Sequence, residues 1–303
     1  MSARSAAGLA GAAAGGREAA GAGALLLAPA LCLFAVFAAA LAAFFGLSFR
    51  RVDPSGTVIG DALTFANYGK ALTDWLYLRT MLLTLQLSVQ TTVAAVLLGF
   101  PLAYWIVRSR SRLLRAALIV VVAVPFMTSL IVRLYALTLV LGNTGLINRM
   151  LQAVGVIGPD DFVPLIRNQA SVVIGLVYFV LPFVVFTLAS ALRRLDLTVE
   201  EAAQNLGADE VRTFFLVTLP LAGPGIIAAA SLAFVLSATA FATPLILGGS
   251  AVKMIANVIY DQVLFVHNVA FGAALAVIAL LATATVTYVY ASLGAGASEG
   301  PGA

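Results

Sequence analysis

Long apolar runs that lack charged residues alternate with shorter polar segments along most of this chain. Six runs are long enough to cross a membrane, at residues 24–47, 81–107, 116–141, 171–192, 223–247 and 263–293. A helix needs about 20 apolar residues to cross the hydrocarbon core. Lipid offers no partner for backbone N–H and C=O groups, and the alternating pattern of a transmembrane strand is absent, so each run must be helical. The pattern predicts an all-α membrane protein with six transmembrane helices.

Composition supports a lipid environment. Apolar residues make up 62% of the chain and charged residues 10%, with a mean hydropathy of +1.06, whereas charged residues form about a quarter of a soluble domain. We expect one membrane domain over residues 24–293, between disordered tails at 1–23 and 294–303. The charge-free stretch 19–49 exceeds the roughly 7 to 15 apolar residues of a signal-peptide core, which predicts an uncleaved helix.

Cysteine and charge exclude several functional classes. Cys32 is the single cysteine, so the chain has neither a disulfide nor a cysteine metal cluster, and we expect no metal and no cofactor. Basic residues outnumber acidic ones 17 to 13, but they are scattered over the loops. We therefore expect contact with membrane lipid and no nucleic-acid partner.

The distribution of basic residues predicts the orientation. Nine lie on the side that holds both termini and the loops after the second and fourth runs, and seven lie on the other side. Most of the seven fall in the long loops 48–80 and 142–170, where the positive-inside rule counts for less. Both termini are thus expected in the cytoplasm of a bacterial inner (cell) membrane protein.

The polar segment between the fourth and fifth runs has the local pattern of a helix, a tight turn and a second helix. Thr198 with Glu201 forms a capping-box pattern, which predicts a helix start. Gly207 predicts the end of that helix, because glycine accepts the left-handed conformation common there. Asp209 favours the start of a second helix, and Pro220 predicts its end. The charge pattern alone favours an ordinary amphipathic helix resting on the membrane surface.

The same segment carries a family motif. It contains Glu201-Ala202-Ala203, Gly207-Ala208, Leu219-Pro220-Leu221 and Pro224-Gly225. This spacing over about 25 residues resembles the EAA loop of ABC (ATP-binding-cassette) importer permeases. The resemblance implies a cytoplasmic coupling helix that docks on ABC ATPase subunits. The residues it assigns to that contact are Glu201, Ala202, Ala203, Gly207, Ala208 and Asp209.

The chain has no phosphate-binding loop of its own. Its only Gly-Lys pair, Gly69-Lys70, lacks the earlier glycine and the following Ser or Thr of that motif. We therefore expect that this chain is not an enzyme and that a separate ATPase subunit hydrolyses ATP.

Three further stretches resemble the spermidine/putrescine branch of these permeases. They are Pro125-Phe126-Met127-Thr128-Ser129 with Val132-Arg133-Leu134-Tyr135-Ala136, Gly142-Asn143-Thr144-Gly145-Leu146-Ile147-Asn148, and Phe241-Ala242-Thr243-Pro244-Leu245-Ile246-Leu247-Gly248-Gly249. The resemblance implies polyamine transport, a second homologous permease subunit and a periplasmic or extracellular solute-binding protein. Homodimerisation stays open.

Few polar side chains interrupt the apolar runs. Arg133 is the one charged residue inside them, and a charge inside the membrane is by default a functional candidate. Equally, it could reach the outer interface or pair with a carbonyl. Weaker candidates for the substrate pathway are Gln86, Gln90, Tyr135 and Tyr178, although polar residues in spans more often bond neighbouring helices. No run contains an Asp or Glu that would ease the passage of a polycation. Two alternatives therefore stay open: specificity rests with the binding protein or the second permease subunit, or the solute is not a polyamine.

Two other classes of function compete with the importer. An ion-coupled secondary carrier usually shows a repeated half or an intramembrane carboxylate, and neither is evident. An intramembrane enzyme would need a nucleophile or metal cluster within a span, which the charge-free runs do not provide. The sequence favours an importer permease for a small solute.

Overall fold

The protein is described here by a computed structural model covering residues 29–52, 58–59 and 63–298. Its regular elements are helices, apart from a two-residue antiparallel pairing of β1 (Arg51–Val52) with β2 (Val58–Ile59). The helices are α1 (Pro29–Ser48), α2 (Ala66–Thr73), α3 (Trp75–Arg108), α4 (Arg112–Met127), α5 (Leu130–Leu141), α6 (Leu146–Ala153), α7 (Gln169–Arg193), α8 (Leu197–Asn205), α9 (Glu210–Thr213), α10 (Leu219–Leu221), α11 (Gly223–Ala238), α12 (Ile255–Leu264) and α13 (Val269–Ser298). Two π-helical turns, Phe214–Thr218 and Pro244–Gly248, follow α9 and α11.

Helix length and apolarity confirm the predicted fold class. Five segments are suited to cross a membrane, namely Pro29–Ser48, Trp75–Arg108, Leu130–Ala153, Gln169–Arg193 and Val269–Ser292. A sixth is a bent pair, Glu210–Leu221 with Gly223–Ala238, whose axes differ by 65°. The described chain is an all-α membrane protein with up to six spans.

The third predicted span, 116–141, is broken in two. Helix α4 ends at Met127, just after Pro125, and α5 begins at Leu130. Both pieces run along α7: the Phe126 ring lies 4.9 Å from that of Phe183, and the Arg133 guanidinium lies over the ring of Tyr178. Both pieces of the predicted span thus contact α7, and a turn at Gly142–Gly145 then separates α5 from α6.

The predicted fifth and sixth spans, 223–247 and 263–293, also differ from the structure. Helix α11 ends at Ala238, and α13 begins only at Val269. Between them, the Asn257 side-chain amide donates to the Phe241 carbonyl at 3.0 Å. Non-helical backbone is tolerated at membrane depth where the protein itself supplies such partners. Part of the apolar run in this break is buried within the protein, including Pro244 and Leu247.

The core forms where α3, α7 and α11 pack together. Its buried side chains include Ala103, Leu188 and Ala229. Small residues allow close approach of the helices, and a Cβ built on Gly225 would lie under 3.0 Å from the Cβ of Ala191. Small-residue contacts of this kind are a main source of helix association in membranes.

The outer connections are ordered by local polar contacts. Helix α6 (Leu146–Ala153) lies within the long connection 142–170. Asn148 is fully buried, donates to the carbonyls of Gly142 and Val163, and accepts from the Val163 N–H at 2.8 Å. A buried amide with all these partners holds the loop against α5 without an unpaired polar group.

The structure describes part of one of the two predicted disordered tails. The tail at 1–23 lies outside the described residues. Helix α13 continues to Ser298, five residues beyond the predicted boundary at 293, so the predicted disordered tail at 294–303 is helical over 294–298. Residues 299–303 lie outside the described part.

Candidate functional site

The segment between α7 and α11 forms the predicted helix, turn and helix, although its first cap differs from the prediction. Helix α8 begins at Leu197, and the Asp196 carboxylate accepts from the Thr198 N–H at 2.9 Å. Asp196 therefore caps the helix in place of Thr198, because its side chain sits one position before the first helical residue. This hydrogen bond holds the pKa of Asp196 below its usual range.

Gly207 ends α8 as predicted. Its φ is +93°, in the left-handed region that favours glycine. The Gly207 N–H donates to the Gln204 carbonyl at 2.9 Å, and the Ala208 N–H donates to the Ala203 carbonyl at 3.1 Å. These two bonds make the Schellman motif, which satisfies carbonyls at a helix end. Asp209 then caps α9 by accepting from the Arg212 N–H at 2.7 Å.

The coupling candidates lie around this turn and are open to solvent. Glu201, Ala202, Gly207 and Asp209 are exposed, while Ala203 and Ala208 are half-buried. Leu206, at the end of α8, is 90% exposed. We call residues 197–213 the coupling loop. Its tip offers a leucine side chain and a backbone with little side-chain bulk around it.

Glu200 is a feature that sequence reasoning missed. Its carboxylate pairs with the Arg108 guanidinium at the end of α3 and accepts from the Thr218 hydroxyl at 2.9 Å. The Arg108 and Glu200 side chains are 17% and 13% exposed. Nothing local marks this contact, because the paired residues are 92 positions apart. The adjacent Glu201 drew attention instead because it belongs to the family motif.

The helical structure in the second half of the segment continues past the predicted end at Pro220, to Leu221. The π-helical turn Phe214–Thr218 precedes Pro220, and the Leu219 N–H donates to the Phe214 carbonyl. Proline lacks an N–H and crowds the preceding turn, so a wider turn accommodates it. Phe214 packs edge-on against Phe100 and Tyr104 of α3, with ring centroids 5.6 and 5.4 Å apart.

The structure brings two of the pathway candidates together and separates the others. Arg133 lies 6.0 Å from the ring centre of Tyr178, which is within cation–π range. Its Nε is buried and has no hydrogen-bond partner among the described residues. Tyr178 is nine residues from the start of α7, so the pair lies well inside the span. Gln86 and Gln90 are instead exposed on α3.

Tyr135 lines a different space, an outer cavity of about 610 Å³ next to the start of α7. Thr138, Arg167 and Ser250 also line it. Arg167 has a φ of +59°, and its N–H donates to the Leu247 carbonyl at 2.9 Å. Left-handed backbone is costly for arginine, so the surrounding contacts must hold it. The sequence offered no signal for this residue.

An inner cavity of about 680 Å³ lies at the other end of α7, against the start of α11. Its lining includes Phe186, Ser190, Arg194 and Pro224. Along α7, Ile174, Tyr178, Phe186, Ser190 and Arg194 are exposed. Ile174 and Tyr178 lie about one turn apart near the start of α7, and Phe186, Ser190 and Arg194 follow one another by single turns up to its end, with the buried Pro182 between the two groups. We call these two exposed groups together the α7 stripe.

Within residues 29–52, 58–59 and 63–298, no group of three His, Cys, Asp or Glu side chains comes together to hold an ion.

Comparison with known proteins identifies the family. Residues 95–296 match the family model of the binding-protein-dependent transport system inner membrane component. The spermidine/putrescine transport system permease protein PotB of Escherichia coli (strain K12) is 34% identical over 245 residues, which is 81% of this chain and 87% of PotB. The molybdenum transport system permease protein ModB of Azotobacter vinelandii is 36% identical over 184 residues, covering 60% of this chain and 78% of ModB.

A solved structure shares the fold. It is a bacterial ABC transporter involved in the import of the acidic polysaccharide alginate, with a TM-score of 0.72 and 18% identity over 89% of this chain and 93% of that chain. The family match covers two thirds of the sequence, includes the coupling loop and agrees with the helical architecture. The chain therefore belongs to the binding-protein-dependent transport system inner membrane components and is a multi-pass inner-membrane permease subunit of an ABC importer for small solutes.

Proposed function

We propose that this permease carries a polyamine such as spermidine or putrescine across the inner membrane by ATP-driven alternating access. The supporting observation is the exposed coupling loop. Both of its helices have a capped start, and Glu200 joins the loop to Arg108 at the end of α3. Permease subunits are not themselves catalytic, so a separate ABC ATPase subunit would hydrolyse ATP. The remaining partners follow from surfaces that this chain leaves open.

The coupling loop is suited to dock on an ATPase subunit. Leu206 offers an apolar anchor at the tip, and the open backbone at Gly207 allows close approach of another protein. Glu201 and Asp209 add exposed negative charge before and after this tip in the sequence. We assign the contact to Glu201, Ala202, Ala203, Gly207, Ala208 and Asp209, with Leu206 added from its exposure.

The α7 stripe is the proposed site of the pathway and of a second permease subunit. Its side chains are exposed, although α7 is the most buried of the five helices that are long and apolar enough to cross a membrane. Both cavities are open rather than enclosed by this chain. A second homologous permease, facing the α7 stripe, would complete the walls of the pathway. In a homodimer, a second copy of this chain would complete the walls of the pathway in the same way.

The orientation follows from the same proposal. With the coupling loop facing the ATPase, the loop and both termini are cytoplasmic, and the outer cavity with Tyr135 and Arg167 faces the periplasm. A solute-binding protein would deliver its solute on that side. The domain arrangement proposed from sequence has tails at 1–23 and 294–303 around a permease domain at 24–293.

The solute is inferred from relatives and from aromatic chemistry. PotB is named as a spermidine/putrescine permease, and it matches most of this chain. Among the pathway candidates, Tyr178 offers a ring face that attracts cations, and Arg133 already occupies that position. ModB, named for molybdenum transport, supports a second candidate function as an importer of another solute.

Reconstitution with the partner subunits tests this function. The transporter in proteoliposomes should hydrolyse ATP faster when its binding protein is loaded with spermidine or putrescine. Solute uptake should require ATP inside the compartment that contains the ATPase subunits. Stimulation by another solute alone would remove the polyamine assignment, and uptake without any ATPase subunit would contradict the importer mechanism itself.

Tyr178 provides a sharper test of the cation pathway. Tyr178→Leu removes the ring but keeps an apolar side chain, and it should lower polyamine uptake about fivefold, the effect of about 1 kcal/mol of cation–π attraction. Tyr178→Phe keeps the ring and serves as the matched control, which should retain uptake.

Arg133→Gln distinguishes the two classes of solute. It frees the Tyr178 ring and removes a repelling charge, so uptake of a cation should not fall. Equal uptake by the Leu and Phe variants at position 178 would argue against a cation–π step. A large loss in Arg133→Gln would instead favour an anionic solute.

A further inference from the structure

The two adjacent glutamates of α8 face different directions. Glu201 is exposed, whereas Glu200 lies against the membrane domain. Neighbouring residues on a helix point about 100° apart, so one helix can present one carboxylate outward and the other inward. Glu201 is thus free to meet a partner, while Glu200 is committed to contacts within this chain.

Glu200 makes those contacts with two different elements. Its carboxylate pairs with Arg108, the last residue of α3, and accepts from Thr218 in the π-helical turn. The Nε of Arg108 is buried and without another hydrogen-bond partner in the described part of the chain. Removing the Glu200 charge would leave a largely buried guanidinium unpaired, which is strongly unfavourable. We call Arg108, Glu200 and Thr218 the clasp.

Helix α3 extends from the clasp to the opposite side of the protein. It has 34 residues and is therefore about 50 Å long. Near its far end, the Thr84 hydroxyl accepts from the Ile255 N–H at 2.8 Å, and the Tyr77 ring packs 4.9 Å from that of Phe271. Movement of α3 would therefore reach α12 and α13 directly.

The covalent route from the coupling loop is less direct. On one side, the chain bends by 65° between α10 and α11. On the other side, a short turn at Arg194–Asp196 separates α8 from α7. The clasp and the packing of Phe214 on Phe100 and Tyr104 instead join the loop to the side of α3.

We infer that the clasp is the contact through which the coupling loop moves α3, with Glu200 as the positioning residue and Glu201 left for the ATPase. This inference rests on the proposed ATP-coupled function. It assigns a role to a carboxylate beside the recognised motif, and it makes α3 the helix that carries motion from the cytoplasmic loop to the outer helices.

Site-specific probes can separate loop motion from α3 motion in the assembled transporter. In a Cys32→Ser background, one probe is attached at Gln204→Cys on the coupling loop and, in a separate protein, at Leu82→Cys on α3. Both positions are exposed. ATP is added to each complex, and the change in probe mobility is measured per assembled complex.

In the protein with an intact clasp, both probes should respond to ATP. In Glu200→Gln and Arg108→Gln, the loop probe should still respond, while the α3 response should fall at least about fivefold, at the lower end of typical coupling between sites. Exchange of the charges by Arg108→Glu with Glu200→Arg should restore part of the response. Arg110→Gln removes a nearby exposed arginine and should change neither probe. Thr218→Val keeps the ion pair and serves as a second variant in case a charge variant fails to assemble. It should give a smaller loss of the α3 response.

An α3 response that persists in both charge variants would overturn the inference while leaving the importer function intact. Loss of assembled complex with an unchanged α3 response per complex would also overturn it, since the clasp would then only stabilise the fold. Failure of both probes to respond in the protein with an intact clasp would contradict ATP coupling itself, and the inference with it.

Discussion

Replacing Gly207 by valine is expected to abolish solute-stimulated ATP hydrolysis by the assembled transporter, with a loss of more than about tenfold. The reason is backbone conformation, because Gly207 has a φ of +93°. Left-handed backbone costs an ordinary residue about 1–2 kcal/mol, and a β-branched residue is especially unsuited to it. A Cβ at this position would meet nothing within 4 Å, so steric crowding does not contribute.

The strain at position 207 would act on the surface that is proposed to dock. Relief of the strain would rotate the chain at the turn and disrupt the two bonds of the Schellman motif. Leu206 and Asp209 would then change their relative positions, and the loop would no longer fit a rigid partner. Docking of preformed surfaces is sensitive to such displacements, since little binding energy remains once the geometry is lost.

Gly155→Val is the matched control for this prediction. Gly155 also has a positive φ, +76°, with open space around it, and it follows α6 on the opposite side of the protein. Both variants should lose a similar amount of thermal stability, but only Gly207→Val should lose coupling. The measurement is ATPase activity in proteoliposomes with and without loaded binding protein. Retained stimulation in Gly207→Val would show that the turn geometry is dispensable.

Replacing Gly225 by valine is expected to prevent stable folding, as judged by the yield of monodisperse protein and its unfolding temperature in detergent. Gly225 lies where α11 meets α7, and its Cβ would fall under 3.0 Å from that of Ala191. Alanine has no rotamer that could move aside, so the two helices would have to separate. Overpacking of a core typically costs about 1–3 kcal/mol, and here it would disturb the packing of α11 on both α7 and α3.

The pair of residues at this contact allows a reciprocal test. Gly225→Ala alone should lower the unfolding temperature, and adding Ala191→Gly should restore it, because the combination only moves the Cβ from one helix to the other. The non-additive effect of the two changes would measure their contact. Gly223→Val, two residues earlier in open space, should be tolerated. An unfolding temperature unaffected by Gly225→Val would mean that the close approach is not required.

Local patterns predicted much of the coupling loop because helix ends depend on adjacent residues. Gly207 and Asp209 occupy the positions predicted for them. Thr198 was wrong as the cap, since a carboxylate two residues earlier, at Asp196, serves that role. Asp196 and Thr198 both offer a capping side chain in the sequence. The helix begins directly after Asp196, so Asp196 is the cap.

The breaks within the spans could not be predicted from apolar runs. Thr128 and Ser129 interrupt the third span, and the chain leaves the helix after Ala238 in the fifth. Whether lipid or protein surrounds such a break decides whether it is tolerated. That surrounding is supplied by residues distant in sequence, such as Asn257, and it leaves no mark in local hydropathy.

By itself, the sequence determined the class of protein, the family and the site of the coupling loop. Lipid imposes length and apolarity on every span, and helix ends follow from neighbouring residues, so both are written in short stretches of sequence. Only the tertiary structure decided that Glu200 meets Arg108, that Arg133 lies over Tyr178, and that Gly225 touches Ala191. These contacts join residues far apart in the chain, and only the packing of the helices that carry them brings them within reach.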